Sequence, residues 1–213
     1  MKKALFLASL VLLSLPVLSQ GRKYNKSMQS AIEKMNEAAD PASELETAAS
    51  FEEIALNYPD QWLPSYHASR ILVFNSFEES DGSKSDALLD RAKKSLDKAM
   101  KMVPEESEAH VLEAFYYIGM ISADPDTRGQ IYYQDVLDAI QKSKQLNPEN
   151  PRAYYVDGMM TFNMPEFMGG GPEAAKPILL EAAEKFKTFE NEDPFWPTWG
   201  EDLNQNELNR LKE

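Results

Sequence analysis

"SLDKAMKMVPEESEAHVLEAF" spans residues 95–115. It reads as one helical run, a proline that cannot continue it, and a second helical run. The same plan occurs at 51–71, "FEEIALNYPDQWLPSYHASRI", and at 139–159, "AIQKSKQLNPENPRAYYVDGM". A fourth stretch at 185–205, "KFKTFENEDPFWPTWGEDLNQ", follows it loosely. The four prolines are Pro59, Pro104, Pro148 and Pro194, spaced by 45, 44 and 46 residues. A fixed spacing of this size marks an internal repeat.

The positions around each proline carry the periodicity. Eight residues before it stand Phe51, Leu96, Ile140 and Phe186, all apolar. Twelve before it stand Thr47, Ala92, Val136 and Ala182, mostly small. Two positions four apart share one helix face. Ten residues after it stand Ser69, Ala114 and Gly158, small residues that let a neighbouring helix approach; the fourth is Asn204. Helices are expected at 24–38, 43–57, 62–77, 84–102, 106–121, 130–146, 151–163, 173–190 and 200–211. No stretch alternates with period two between turn dipeptides, so no strand is expected.

This pattern resembles the tetratricopeptide repeat over residues 43–190. The resemblance implies an all-α, right-handed solenoid of helix pairs. The period exceeds the family's usual ~34 residues, and the family's tryptophan position holds Ser65, His110 and Tyr154. The extra residues fall in "EESDGSKSD" (78–86), "SADPDTRGQ" (122–130) and "NMPEFMGGGP" (163–172), rich in turn formers and expected as lengthened loops. Flanking segments 20–42 and 191–213 are expected to cap the stack, the second with an aromatic segment. The glycines before "EAAK" also resemble exported helical partner subunits of periplasmic solute transporters, which implies a hydrophobic ligand channel.

Residues 1–19 read as a cleaved secretory signal. Lys2 and Lys3 precede an apolar run from Ala4 to Leu15, too short to span a bilayer, and Val17-Leu18-Ser19 suits cleavage. The expected localisation is export to the periplasm or cell envelope of a Gram-negative bacterium, with no membrane insertion after cleavage. The 213 residues contain no cysteine, so the fold rests on its core rather than on disulfides. A formal net charge of −13 argues against a nucleic-acid partner, whose phosphates need clustered Lys and Arg.

Motifs for chemistry fail on inspection. Gly169, Gly170, Gly171 and Pro172 lack the Lys-Ser/Thr of a phosphate loop and read as a structural turn, with anion binding on bare glycine amides as the alternative. Asp124, Asp126, Gly129 and Asp135 touch the calcium-loop pattern, but Arg128 stands at a ligand position, so a capping acidic loop is expected. His67 and His110, the only histidines, have no metal-ligand spacing. No catalytic residue, cofactor site or metal site is assigned, and the protein is expected not to be an enzyme.

The resemblance places the first helix of each pair on a concave face. Counting 4, 7, 11 and 14 past each proline gives Leu63, Tyr66, Arg70 and Val73; Glu108, Val111, Phe115 and Ile118; Arg152, Tyr155, Met159 and Phe162. Aromatic residues with arginine are the currency of binding hot spots. Two readings stay open: an exposed binding stripe, or a core face covered by a lengthened terminal helix. "DPFWPTWG" (193–200), with two of the three tryptophans, is expected to pin the last helix to the stack, with an exposed docking segment as the alternative. The expected function is a protein–protein interaction scaffold with a protein or peptide partner. The alternative is a binder of a small hydrophobic ligand in a concave pocket, associated with transport. An open groove favours the first and a closed cavity the second.

Overall fold

The computed structural model describes the backbone of residues 15–211 and the side chains of residues 21–211. Most of the expected signal, residues 1–14, lies outside the described residues, and 15–19 open the first helix. Nine α-helices are present among the described residues, without strands: α1 Leu15–Glu37, α2 Pro41–Asn57, α3 Leu63–Glu78, α4 Gly82–Met102, α5 Ser107–Ala123, α6 Pro125–Leu146, α7 Pro151–Asn163, α8 Pro172–Thr188 and α9 Glu201–Arg210.

Local chemistry sets the boundaries. Asp40, Asp81, Glu106, Asp124 and Asn150 each turn a side-chain oxygen onto backbone N–H groups opening α2, α4, α5, α6 and α7. Proline occupies the first turn of α2, α3, α6, α7 and α8, where no intrahelical N–H is lost. Pro59, Pro104 and Pro148 each stand two residues beyond the ends of α2, α4 and α6. Pro194 differs: α8 ends at Thr188, and the chain runs without helix to Gly200.

Two of the three expected long loops are corrected. Only 79–81 separates α3 from α4, and only Asp124 separates α5 from α6. Asp81 and Asp124 are helix caps, and Pro125 is the first residue of α6, so the turn formers start helices instead of filling loops. The extra residues of the repeat therefore lengthen the helices. The calcium-loop pattern is dissolved by the same fact, because Asp126, Gly129 and Asp135 lie within α6.

The third loop remains, at 164–171, around a 3-10 turn Glu166–Met168. Gly169 and Gly171 hold φ of 88° and 96°, which favours glycine. A Cβ on Gly170 would meet the Met164 carbonyl oxygen at 2.3 Å. All three glycine amides are used: Gly169 donates to Glu166, Gly170 to Pro165 and Gly171 to Thr161. The bare amides needed for an anion cradle are absent here.

The helices pack as sequential neighbours, and α3, α5 and α7 also contact one another in a row. The repeat positions fill the core: Phe51, Leu96 and Ile140 are buried, as are Thr47, Ala92, Val136 and Ala182. Small residues mark the close approaches. A Cβ on Gly158 would lie 2.5 Å from Leu179 Cδ2, so α7 and α8 meet there at a distance only glycine permits.

Candidate ligand-binding cleft

The stripe of twelve residues forms along α3, α5 and α7, and a strap of residues 193–200 lies on it. Leu63, Tyr66, Val73, Glu108, Val111, Phe115, Arg152 and Tyr155 are buried. Arg70, Ile118, Met159 and Phe162 are half-buried. Trp199 sits with its ring 5.5 Å from Phe74, 5.5 Å from Phe115 and 6.2 Å from Tyr155. The Arg210 guanidinium of α9 covers Phe162 at 4.6 Å. The stripe is thus largely a core face, and what closes most of it is the strap without helix, not the lengthened terminal helix expected for a covered face.

A buried polar network holds the strap down. Trp199 Nε1–H donates to Tyr66 Oη at 2.7 Å, and Tyr66 O–H donates to Glu108 Oε1 at 2.5 Å. Asn150 Nδ2–H donates to Glu108 Oε2 at 3.0 Å, and Arg152 Nη1 lies 3.5 Å from the same oxygen. Arg152 Nε–H donates to the Trp199 carbonyl at 2.8 Å, and Nη2–H to that of Pro197. Glu108 is fully buried, and such a charge is tolerated because every partner is present. Burial, then the Glu108 carboxylate, pushes the Tyr66 hydroxyl well above its ordinary pKa, so it acts as a fixed donor.

His67 completes the clamp. Its Nε2 lies 2.8 Å from the Phe195 carbonyl. A carbonyl only accepts, so Nε2 carries the proton. Burial lowers the His67 pKa to about 3, against the weaker raising effect of the Phe195 carbonyl. The ring is therefore neutral, and its buried Nδ1 is an unprotonated nitrogen with no hydrogen-bond partner. It stacks on Phe51 at 5.0 Å. His110, by contrast, bonds Glu113 and the Pro104 carbonyl.

The strap does not close the face evenly. Between it, α1 and α3 a cleft of about 300 Å³ remains. Ile32, Met35 and Asn36 form one wall, His67 and Arg70 the floor, and Pro194 with Trp196–Trp199 the other wall. A second hollow of about 200 Å³ is also lined by Met35 and Arg70, together with Ala38, Glu44, Thr47, Ile71 and Phe74. Cleft volumes of this order suit small molecules, whose sites run roughly 300–1,000 Å³. A larger hollow of about 600 Å³ lies between α1 and α2, but its wall is mostly Lys, Ser, Asn and Glu, and it is more open to solvent. The smaller cleft has the aromatic lining and the convergent polar groups.

Arg70 is the one stripe residue in this cleft. The others lie beneath the strap or beside it. Ile32, Met35, Asn36, His67 and the strap residues were missed as site residues. The tryptophan pair in 193–200 was the available signal; its place against α1 was not readable from spacing.

No helix among the described residues is long and apolar enough to cross a membrane. Among them no group of three or more His, Asp or Glu could hold a metal ion.

No protein-family model matches the chain, and no curated protein sequence is similar to it. Among solved structures it is similar to the HusA haemophore from Porphyromonas gingivalis, with a TM-score of 0.79 and 23% identity. The likeness covers 89% of this chain and 92% of that one. At this identity it shows a shared all-helical fold.

Proposed function

We propose that this protein is an exported, non-enzymatic carrier that captures a small, flat, amphipathic ligand of the tetrapyrrole type. The ligand lies in the cleft between α1, α3 and the strap. One observation carries the reading. The face that would have served a peptide is filled by the protein's own Trp199, while a half-enclosed aromatic cleft is left beside it. That geometry favours the small hydrophobic ligand over a protein partner. The haemophore fold supports it, since the neighbour's name describes a haem carrier. The helix pairs are read as a tetratricopeptide-like array, and the working compartment as the periplasm or cell envelope of a Gram-negative bacterium.

The test is a titration of the purified protein with haemin, followed by tryptophan fluorescence. Trp196 and Trp199 line the cleft and Trp62 packs on Trp196 at 5.5 Å, so all three report on it. Saturable one-to-one quenching, abolished by Met35→Asp, is expected. Linear, unsaturable quenching in the native protein would reject the reading.

A second reading keeps the protein–protein scaffold. Phe167, at the tip of the 164–171 loop, is 88% exposed, with Met168 beside it at 47%. Exposed aromatic and Met side chains suit partner contacts. Phe167→Ser would then weaken capture of a partner from envelope extract without changing ligand titration.

A further inference from the structure

The arginines of this acidic chain have a pattern. Arg91 pairs with Glu52, Arg128 with Asp86, Arg152 with Glu108 and Arg210 with Glu207. Arg22 is exposed. Arg70 is half-buried, and no carboxylate lies within ion-pair distance of it among the described residues. Its contacts are with neutral groups. Nη2–H points to Met35 Sδ at 2.9 Å, and the guanidinium lies 5.2 Å from the centre of the Phe74 ring. One oxygen of the nearby Glu44, Oε2, accepts from Asn75 Nδ2–H at 2.5 Å.

A half-buried guanidinium without an ion pair is costly: burial penalises the charge, and the more distant Glu44 and Glu108 carboxylates offset that only in part. Burial does pull the Arg70 pKa below its ordinary value. A purely structural arginine would be expected to have recruited one of the chain's 35 acids. Arg70 instead lines both hollows. Trp196, in the wall of the same cleft, has an indole N–H without a hydrogen-bond partner. A planar guanidinium matches a carboxylate in a two-bond fork, and an indole N–H supplies a further donor.

We infer that Arg70 is the anchor for a carboxylate of the ligand, so that the cleft selects flat amphiphiles carrying an acid group at one edge. This rests on the ligand-carrier reading above and names the chemistry that the cleft recognises. The apolar body of the ligand lies against Met35, Phe74 and Trp199, and the acid edge enters at Arg70. Arg70 is the one cationic side chain among the residues that line the two hollows, so in a strongly acidic protein it is the group there that an anion can meet.

The experiment compares haemin, which carries two free carboxylates, with its dimethyl ester, which has the same ring and none. Both are titrated into the native protein, Arg70→Gln and Arg70→Lys. The expected result is roughly ten- to hundredfold tighter binding of the acid than of the ester by native protein. Arg70→Gln should abolish that preference by weakening the acid alone, and Arg70→Lys should restore part of it. Equal binding of acid and ester by native protein overturns the Arg70 assignment and leaves the carrier reading standing. Binding of neither form overturns both. If Arg70→Gln does not fold, the acid-to-ester ratio on the native protein decides by itself.

Discussion

His67 is the residue whose titration the fold opposes. Its folded pKa is about 3, depressed by burial from an ordinary 6.5. Between those values the unfolded chain binds a proton that the folded protein refuses. Stability from this residue is therefore complete above about pH 6.5 and is lost as pH falls, at up to about 1.4 kcal/mol per pH unit. A series of thermal denaturations from pH 7 to pH 4 should show this loss, and His67→Gln should flatten it. Glu108 acts through its partners. Glu108→Ala leaves Arg152 buried without its counter-charge, and a loss of about 3–5 kcal/mol is expected in urea unfolding. Gly158 acts through space. Gly158→Ala puts a methyl group into Leu179, and overpacking of this kind costs about 1–3 kcal/mol in the same assay.

At the scale of elements, the strap 193–200 decides what the face can do. It is held by side chains from α3 and α7 and by no regular structure of its own. Trp199→Ala removes its aromatic anchor and the bond to Tyr66, a loss on the order of 3 kcal/mol. Limited proteolysis should then cut 189–197 faster than in the native protein, because a freed segment without helix is a preferred site of nicking. The helices themselves were legible because their signals are local: a proline two residues past an end, an Asp or Asn at a start. The same locality misled at Asp81 and Asp124, where turn formers read as loops are caps of longer helices. The strap was not legible in its position. Trp199 meets Tyr66 across 133 residues and Phe195 meets His67 across 128, and no periodicity spans such distances.

At the scale of the whole molecule, the row of α3, α5 and α7 supplies a continuous apolar face, and the strap and α1 divide it into core and cleft. Counting from the prolines found the row, including Arg70, but could not say which of its residues the chain covers for itself. That division turns an open groove into a ligand-sized cleft. Hydrogen–deuterium exchange of the intact protein, with and without saturating haemin, locates the occupied part of the face. Protection on ligand addition is expected to be confined to 32–38, 66–74 and 194–199. Protection centred on 164–171 or on the α1–α2 hollow, or no change at all, would contradict it.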